Sequence, residues 1–436
     1  MSSRPDPGAA ARRRIAGAPD PERRFEQADL YEYPGLATDF CGLRFVNPFL
    51  LAASPCTDEL AMVERAFEMG WAGAVLKTTS REGTRVDLAY PMMSSLDHGD
   101  QRLVGMGNID LISRHHAGEV VRRVRRLKRR FPDRVVIASM MGASRDDWQD
   151  VASRLAAAGA DMIECSFSCP QGSMGEDAGK MLAQSPDATE RVARWVKEAA
   201  GSVPVAIKIT PQVTDIVAVA RALERAGVDA ITASNSVPAL MGVDIETFVP
   251  RPALRGLSTY SGLTGPAIKP ITLRTIAEIA RHVSLPILGT GGAGDWRDAV
   301  EFMLVGAGVV QYCTAPMHHG FRIIDDLTSG LSRYLTRKEL ASPAALVGRS
   351  LPHLVDHDAL PRREVRSRVV AERCIGCGLC HVACRDGGHE AVRWPADGRL
   401  PEVDPELCVG CGLCLTVAPV AGCLELVELP ATGGRP

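Results

Sequence analysis

The sequence has no apolar stretch approaching the roughly 20 residues that span a bilayer, and no secretory signal peptide opens it. It also has no surplus of one charge, since 50 basic residues face 52 acidic ones for a net charge of −2. Such a surface predicts neither nucleic acid nor a membrane as a partner. No Gly-x-Gly-x-x-Gly fingerprint follows an early apolar run, so we do not expect NAD(P)H to bind here.

The composition is that of an ordinary globular protein, with 46% hydrophobic and 23% charged residues. At 436 residues the chain is long enough for a large barrel and an appended domain. Its 13 cysteines would suggest disulfides in a secreted protein. Here seven of them follow the pattern of cluster ligands, and cluster thiolates need a reducing compartment. The expected location is therefore cytoplasmic.

The seven patterned cysteines lie near the C-terminus. The first four have the spacing Cys-x2-Cys-x2-Cys-x3-Cys, and the other three repeat its first three positions. This is the ligand pattern of a bacterial two-cluster ferredoxin, in which each fourth cysteine binds the other cluster. The predicted ligands are Cys374, Cys377, Cys380, Cys384, Cys408, Cys411 and Cys414.

The second motif lacks its last cysteine, because Ala418-Pro419 stands where Cys-Pro is expected. Cys384 can complete a [4Fe–4S] cluster with the second motif, which leaves Cys374, Cys377 and Cys380 one ligand short. That cluster could lose an iron and become [3Fe–4S], or keep four irons with water or another ligand. It could also recruit Cys423, which would require the turn at 419–422 to rearrange. The sequence leaves these alternatives open.

Hydrophobic periodicity divides the rest of the chain. Residues 1–30 lack it and predict a disordered tail. Residues 31–335 alternate short apolar runs with amphipathic stretches. Residues 336–370 have the composition of a partly extended linker, which leads to the ferredoxin-like domain at 371–428 and a short tail at 429–436.

Eight apolar runs in the 31–335 region have the character of buried parallel strands. With helices between them they predict an α/β fold, a (β/α)8 barrel, ahead of an α+β ferredoxin domain. A doubly wound sheet is the alternative. The predicted strands are Phe49–Ala53, Gly73–Leu76, Val135–Ser139, Met162–Cys165, Val203–Ile207, Ala230–Thr232, Pro286–Gly289 and Val309–Tyr312.

In such a barrel, catalytic residues follow the carboxyl ends of the strands. The seventh strand is followed by Gly291-Gly292 and the eighth by Cys313-Thr314, where barrels bind phosphate. Lys208 ends the fifth strand and, if buried, needs an anionic partner such as a reduced flavin ring. The alternative for Lys208 is an ordinary strand-end lysine that reaches solvent.

Several stretches resemble the flavin barrel of the dihydropyrimidine dehydrogenases and of class 1 dihydroorotate dehydrogenases. They include NPFLLAAS, VLKTTS, GMGNIDLIS, SFSCPQG, TASNSVPALMG, YSGLTGPAIKPI and GTGGAGDW. The appended CIGCGLCHVAC and CVGCGLCLTVAPVAGC extend the resemblance to the flavin and iron–sulfur subunits of bacterial NAD-dependent members. The resemblance covers about residues 37–428 and implies FMN, two iron–sulfur clusters and reduction of a pyrimidine C5=C6 bond.

The resemblance also assigns roles to residues. Cys169 matches the acid that exchanges a proton with pyrimidine C5, a task that suits a thiol with an ordinary pKa near 8.5. Lys208 matches the catalytic lysine at the flavin, and substrate-binding positions match Asn108, Asp110, Ser166, Asn235 and Ser236. Matches to FMN-binding positions are Ala53, Ser54, Lys77, Thr78, Asn108, Lys208, Gly265, Gly291, Gly292, Cys313 and Thr314.

Two departures concern the substrate: Ser166 replaces the family's asparagine and Asp110 its glutamate. A serine is too short to replace both the donor and the acceptor of an asparagine amide. Uracil or thymine is therefore the first expectation, and a modified pyrimidine or other cyclic amide is the second. A non-catalytic electron-transfer subunit is the rival from another class.

The missing dinucleotide fingerprint and the resemblance together imply an external electron donor. We expect an NAD(P)H-dependent FAD/iron–sulfur reductase subunit or a ferredoxin, and assembly into a homo- or hetero-oligomer. An arginine-rich helix at 118–130 predicts a solvated face, with docking of an acidic partner as the alternative.

Overall fold

The computed structural model describes residues 35–98, 101–168, 181–361, 364–396, 398 and 400–429, without the side chains of residues 101 and 102. These residues form two compact units that meet in the chain between His353 and Leu354. The tail predicted at 1–30 lies outside the described residues, as does nearly all of the tail at 429–436. None of the described helices is long and apolar enough to cross a bilayer.

Strands are numbered along the described chain. They are β1 (Thr38–Phe40), β2 (Leu43–Phe45), β3 (Phe49–Leu51), β4 (Gly73–Thr79), β5 (Met93–His98), β6 (Gln101–Asn108), β7 (Val135–Met140), β8 (Met162–Ser166), β9 (Val205–Lys208), β10 (Ala230–Ala233), β11 (Val237–Ala239), β12 (Ser261–Thr264), β13 (Ile287–Thr290), β14 (Ala307–Tyr312), β15 (Val365–Val369), β16 (Val392–Arg393), β17 (Glu402–Val403) and β18 (Leu424–Glu428).

Helices are numbered in the same way. They are α1 (Leu60–Glu68), α2 (Ala117–Arg130), α3 (Arg145–Ala157), α4 (Pro186–Ala200), α5 (Ile216–Ala226), α6 (Lys269–His282), α7 (Trp296–Leu304), α8 (Thr314–His319), α9 (Ile323–Arg337), α10 (Leu379–Gly387) and α11 (Leu413–Thr416).

A closed parallel barrel forms the centre of the first unit. Its strands follow one another in the order β3, β4, β7, β8, β9, β10, β13 and β14, and β14 pairs with β3 to close the ring. Every residue of β4, β7 and β8 is buried, because parallel strands are covered by helices outside and by side chains inside. All eight predicted strands coincide with barrel strands, so the predicted (β/α)8 fold is confirmed.

Local signals set the helices that cover the barrel. Ser144 and Asp295 begin α3 and α7 by accepting hydrogen bonds from backbone N–H groups of the first turn. Gly227 ends α5 with a φ of 75°, a left-handed conformation that glycine adopts without steric cost. These caps fix where each helix starts or stops. The apolar face of each helix is buried because it packs against the barrel strands.

The barrel interior changes from apolar to polar along the strand direction. A lower apolar layer contains Leu50, Val75, Ile137 and Met162 among others. Side chains alternate between the two faces of a strand, so residues two positions later also face the interior. On several strands those later residues are polar, and they are Lys77, Ser139, Glu164, Lys208, Thr232, Thr290 and Gln311. The barrel is therefore polar near the carboxyl ends of its strands.

A small antiparallel sheet follows the carboxyl ends of two barrel strands. It has the order β11, β12, β6 and β5, and its register pairs Asn108 with Gly262. Asn108, which the sequence placed in none of the predicted strands, lies at the end of β6. These strands are half-exposed and rich in glycine and polar residues, so they lack the apolar pattern by which the barrel strands were predicted.

The second unit contains the cysteine motifs. Strand β15 pairs with β18, and β16 pairs with β17 between the two cysteine motifs. Helix α10 contains Cys380 and Cys384 of the first motif, and α11 contains Cys414 of the second. Each helix starts after a glycine in the left-handed conformation. The segment predicted to be a linker, 336–370, contains short 3-10 turns and all of β15.

Candidate active site and cluster sites

The strand ends of the barrel bring the predicted flavin-site residues to one end. Thr78 at the end of β4 lies 2.9 Å from the hydroxyl of Ser139 on the neighbouring β7. Ser54 caps a 3-10 turn by accepting a hydrogen bond from Cys56 N at 3.2 Å, so its hydroxyl has a local structural role. Ala53 packs beside the apolar barrel interior. These residues line the rim where parallel barrels place their ligands.

Lys77 and Asp110 form a buried ion pair in this rim. Their side chains are only 6% and 9% exposed, and the Lys77 ammonium donates to the Asp110 carboxylate. Burial raises the pKa of Asp110 above its usual range, and the adjacent positive charge of Lys77 opposes that rise. The pair joins the end of β4 to the segment after β6.

Lys208 is a buried cation of a different kind. It is 7% exposed at the end of β9, and none of the described residues forms a hydrogen bond or ion pair with it. Its register neighbours are Ser166 on β8 and Thr232 on β10. Burial raises the pKa of Cys313, and the positive charges of Lys208 and Lys77 oppose that rise. Since an unpaired buried ammonium is costly, this position favours an anionic ligand.

Buried hydroxyl groups without partners surround the same end of the barrel. Ser168 follows β8 and Ser234 follows β10, and the Oγ atom of each is buried without a hydrogen bond to any described residue. Ser94 on β5 and Ser261 on β12 have the same deficit in the small sheet. Native proteins satisfy nearly all buried polar groups. The deficit therefore indicates that a polar ligand completes these hydrogen bonds.

The glycine loop after β13 packs so closely against α6 that it has no room for a side chain. Gly291 and Gly292 have φ values of 116° and 94°. A methyl group on Gly292 would lie 2.6 Å from the backbone nitrogen of Lys269, the first residue of α6. The loop thus packs against the start of α6, where the Lys269 N–H already donates to Pro266 O, so an anion here would bind the backbone N–H groups of the loop itself. This arrangement fits the phosphate of FMN.

The other predicted phosphate-site residues lie on the neighbouring loops. Gly265 precedes α6 with a φ of 82°, and a methyl group there would lie 3.5 Å from Cγ2 of Thr314. The Thr314 hydroxyl is 3.0 Å from that of Thr264 on β12. Cys313 directly precedes α8. The structure therefore brings Gly265, Cys313 and Thr314 together.

The predicted substrate residues approach the site from the small sheet and from β8 and β10. Asn108 donates its amide to Gly262 O at 2.9 Å, which leaves the amide oxygen as an acceptor. A methyl group on Gly262 would touch both the Ser236 hydroxyl and the Asn108 amide, so these side chains flank that glycine. Asn235 makes a long contact of 3.5 Å with Ser168 O.

Cys169, the predicted proton donor, lies outside the described residues, as do the residues after it up to 180. Its neighbour Ser168 is described and buried. Ser166 is also buried, at the end of β8 beside Lys208. The strand that precedes Cys169 therefore leads toward the end of the barrel that holds Lys208.

The barrel interior contains a buried carboxylate that was not among the residues predicted from the sequence. Glu164 is fully buried on β8, and its Oε2 accepts hydrogen bonds from Thr232 at 2.9 Å and Gln311 at 2.8 Å. These three residues come from alternate barrel strands, as the side chains of one interior layer do. An acidic residue within the apolar run MIECS was the available signal, because a buried strand rarely carries an unpaired charge.

The cysteines of the second unit separate into two groups. Burial raises the pKa of Cys414, a hydrogen bond with Ser367 opposes that rise, and the nearby thiols of Cys384, Cys408 and Cys411 add to it. Cys384 thus lies with the second motif, as the two-cluster pattern predicts. Ser367, which is 6% exposed on β15, places its hydroxyl 3.1 Å from Cys414 Sγ and its backbone N–H 3.4 Å from Cys408 Sγ.

The other group consists of Cys374, Cys377, Cys380 and Cys423. These cysteines line a cavity with about 350 Å³ of empty volume, part of which is open to solvent. Within the described residues no three possible ligands converge on a single metal ion. A cubane cluster does not require this, since its irons are bound at separate corners. The site therefore fits a cluster rather than a single metal.

Comparisons with known proteins agree with both units. Residues 35–335 match the dihydroorotate dehydrogenase family, and residues 367–426 match the 4Fe-4S dicluster domain. The NAD-dependent dihydropyrimidine dehydrogenase subunit PreA of Escherichia coli is 40% identical over 404 residues, which are 90% of this chain and 96% of that protein.

Two further relatives are more distant. The chloroplastic dihydropyrimidine dehydrogenase (NADP(+)) of Arabidopsis thaliana is 31% identical and is matched over 76% of this chain and 80% of its own. The catalytic subunit of dihydroorotate dehydrogenase B (NAD(+)) of Methanothermobacter thermautotrophicus is 35% identical, over 72% and 97%. The chain therefore belongs to the family of dihydropyrimidine and dihydroorotate dehydrogenases, as an iron–sulfur flavoprotein oxidoreductase that acts on CH–CH bonds.

Proposed function

We propose that this protein reduces the C5=C6 bond of uracil, thymine or a related pyrimidine. Electrons arrive through the iron–sulfur clusters from a separate NAD(P)H-dependent FAD/iron–sulfur reductase subunit or a ferredoxin. The name of the E. coli relative, a subunit of an NAD-dependent dihydropyrimidine dehydrogenase, supports both parts of the proposal. The lack of a dinucleotide fingerprint after an early strand of this chain supports an external reductase.

The observation that carries the proposal is that Lys208 is buried with no partner among the described residues, beside buried hydroxyls that also lack a described partner. A flavin ring that gains negative charge on reduction satisfies such a cation. When bound, FMN supplies the hydride chemistry, while Lys208 holds its ring and the Gly291–Gly292 loop holds its phosphate. The cost of burying the ammonium is then offset only in the loaded protein.

The substrate is held by polar groups on the small sheet and after β10. The free amide oxygen of Asn108 accepts from a ring N–H, and Ser236 beside it offers a hydroxyl that can donate or accept. Among the described residues, the Asn235 side chain makes one hydrogen bond, its long contact with Ser168 O, which it can exchange for a ligand. Together these groups orient a flat cyclic amide over the flavin site.

Cys169 donates the proton. A hydride is delivered to C6 of the pyrimidine and the thiol proton goes to C5, which gives the 5,6-dihydropyrimidine and a thiolate that solvent reprotonates. Cys169→Ala should retain FMN but lose about 10²–10⁴-fold in turnover, the usual contribution of general acid catalysis. Cys169→Ser should keep a trace of activity. Stopped-flow flavin reoxidation measures this, and wild-type rates in the alanine variant would contradict the assignment.

The experiment that tests the function is anaerobic reoxidation of the reduced protein by a panel of pyrimidines and analogues. We expect the flavin absorbance to return on addition of uracil or thymine, with the matching dihydropyrimidine as product. A flavin that reduces normally but responds to no member of the panel would overturn the proposal. Lys208→Met should still fold but reoxidise slowly, whereas exposed Lys338→Met should behave like wild type.

Ser166 favours a second candidate, a modified pyrimidine or another cyclic amide. It is buried beside Lys208, so a change of length there alters the site where the substrate edge would lie. Buried polar groups that lose their partner can change specificity by several orders of magnitude. The panel therefore includes substituted pyrimidines and hydantoin-like rings, and a rate higher than that of uracil would identify this alternative.

A further inference from the structure

The cluster held by the first cysteine motif lacks the ligand that the two-cluster pattern supplies. Cys384 does not line the cavity of the first motif, and the two-cluster pattern assigns it to the cluster of Cys408, Cys411 and Cys414. Ala418 stands where the remaining ligand should be, and a methyl group cannot bind iron. Cys374, Cys377 and Cys380 therefore need a fourth ligand from elsewhere, or leave one iron exposed.

The cavity described above already contains a fourth cysteine. It is lined by Cys374, Cys377, Cys380 and Cys423, and Ala418 lies on the same wall. Cys423 is 7% exposed, and its thiol has no hydrogen-bond partner among the described residues. A buried, unpartnered thiol beside three cluster cysteines is placed as a ligand would be.

The backbone holds Cys423 at this cavity without any rearrangement. Its carbonyl accepts a hydrogen bond from Val370 N at 2.9 Å, and its N–H donates to Val420 O at 3.3 Å. The next residue, Leu424, begins β18 and pairs with Val369 of β15. The 419–422 turn is thus in place while Cys423 lines the cavity, so ligation does not require the turn to rearrange.

The other lining residues favour a thiolate over competing ligands. None of them is a histidine or carboxylate, and most are apolar, such as Val369, Ile375, Trp394 and Leu424. An apolar wall offers a bound water few hydrogen-bond partners apart from the solvent that reaches the cavity. Of the groups that line the cavity, Cys423 is the one that can complete the coordination.

We propose that the Cys423 thiolate is the fourth protein ligand of a [4Fe–4S] cluster bound by Cys374, Cys377 and Cys380. On ligation the Cys423 thiol loses its proton to solvent and its sulfur binds the fourth iron. Neither the sulfur nor the iron changes oxidation state. The assignment rests on the iron–sulfur module of the proposed function and is independent of the substrate. It would make this cluster a full four-iron electron carrier despite Ala418.

The test compares the full-length wild-type chain with Cys423→Ala, Ala418→Cys and the double variant, all reconstituted anaerobically. Iron and sulfide are quantified, and EPR and Mössbauer spectra are recorded before and after reduction. We expect about eight irons per chain in wild type, from two four-iron clusters. Cys423→Ala should lose one iron and show the EPR signal of an oxidised three-iron cluster. The double variant should regain the eighth iron, because Ala418→Cys restores the usual ligand.

Recovery in the double variant separates loss of a ligand from misfolding. Cys41→Ala serves as control, since Cys41 lies in the barrel unit and bonds Asp229 O, and its cluster content should match wild type. A three-iron signal in wild type that Ala418→Cys removes would overturn the proposal. Unchanged iron content and spectra in Cys423→Ala would do the same. Pyrimidine-dependent flavin reoxidation is measured separately, so failure of the proposed function is distinguishable from failure of the ligand assignment.

Discussion

Substitution of Gly292 by alanine should selectively weaken flavin binding. Gly292 has a φ of 94°, and its new methyl group would lie 2.6, 2.8 and 2.9 Å from the backbone N, Cα and Cβ of Lys269. Two of these atoms are backbone at the start of α6, so no side-chain rotation can relieve the contact. The helix N-terminus must move away from the loop that we propose binds phosphate.

The expected magnitude follows from two effects. A non-glycine residue in a sparsely populated backbone region costs about 1–3 kcal/mol, which lowers the stability of the barrel. Separating the loop from α6 displaces the loop backbone and weakens its hydrogen bonds to a charged group, each worth about 1.5–3 kcal/mol. Loss of one such bond corresponds to a rise of about 10–100-fold in the dissociation constant of FMN.

A matched variant separates strain from loss of the site. Gly159 has a φ of 89°, and a methyl group there would meet nothing within 4 Å. Gly159→Ala should therefore lower thermal stability through backbone strain but leave the affinity for FMN unchanged. Both variants are titrated with FMN in the flavin-free state by fluorescence quenching, and their melting temperatures are compared with and without FMN.

Two outcomes would refute the reasoning. One is wild-type affinity for FMN in a folded Gly292→Ala protein, which would show that the loop does not hold the phosphate. The other is equal loss of affinity in both variants, which would attribute the effect to general destabilisation of the barrel.

Three further predictions concern the substrate, the flavin and a cluster. Ser166→Asn should raise the reoxidation rate with uracil relative to other pyrimidines, and an unchanged ratio would make this departure neutral. Lys208→Met should lower the flavin midpoint potential, by about 30 mV for each 1.4 kcal/mol of two-electron stabilisation lost, and an unaltered potential in a redox titration would contradict its role. Ser367→Ala removes a hydroxyl from Cys414 Sγ and should lower the potential of that cluster by about 40 mV, if one net hydrogen bond is worth ~1 kcal/mol. Thr416→Ala, which loses a hydroxyl bonded to a carbonyl, is its control in EPR-monitored titrations.

The sequence determined the architecture because the relevant signals are local. Each barrel strand is a short apolar run that a polar or glycine residue ends, and this pattern located β3 through β14 of the closed ring within a few residues. The spacing of the cysteines is equally local, and the spacing by itself assigned Cys384 to the cluster of the second motif. Caps such as Ser144 and Asp295 are encoded within four residues of the helix that they begin.

The small antiparallel sheet could not be predicted in the same way. Its strands β6 and β12 are more than 150 residues apart in the chain and carry no strong apolar alternation. Their pairing follows from barrel closure, which brings the segments after β4 and β10 to the same end. The positions of Asn108 and Ser236 beside Gly262 therefore depend on the whole ring.

Tertiary structure alone decided which charges and thiols meet. Lys77 pairs with Asp110, which is 33 residues later in the sequence, and Glu164 accepts a hydrogen bond from Gln311, which is 147 residues later. Lys208, by contrast, is buried with no partner among the described residues. The sequence named Cys423 as one of several possible ligands, and the pairing of β15 with β18 places it in the cavity of the first motif. A local pattern fixes the type of residue and its strand or helix, but distances between remote residues are set by how the barrel and the strand pairs close.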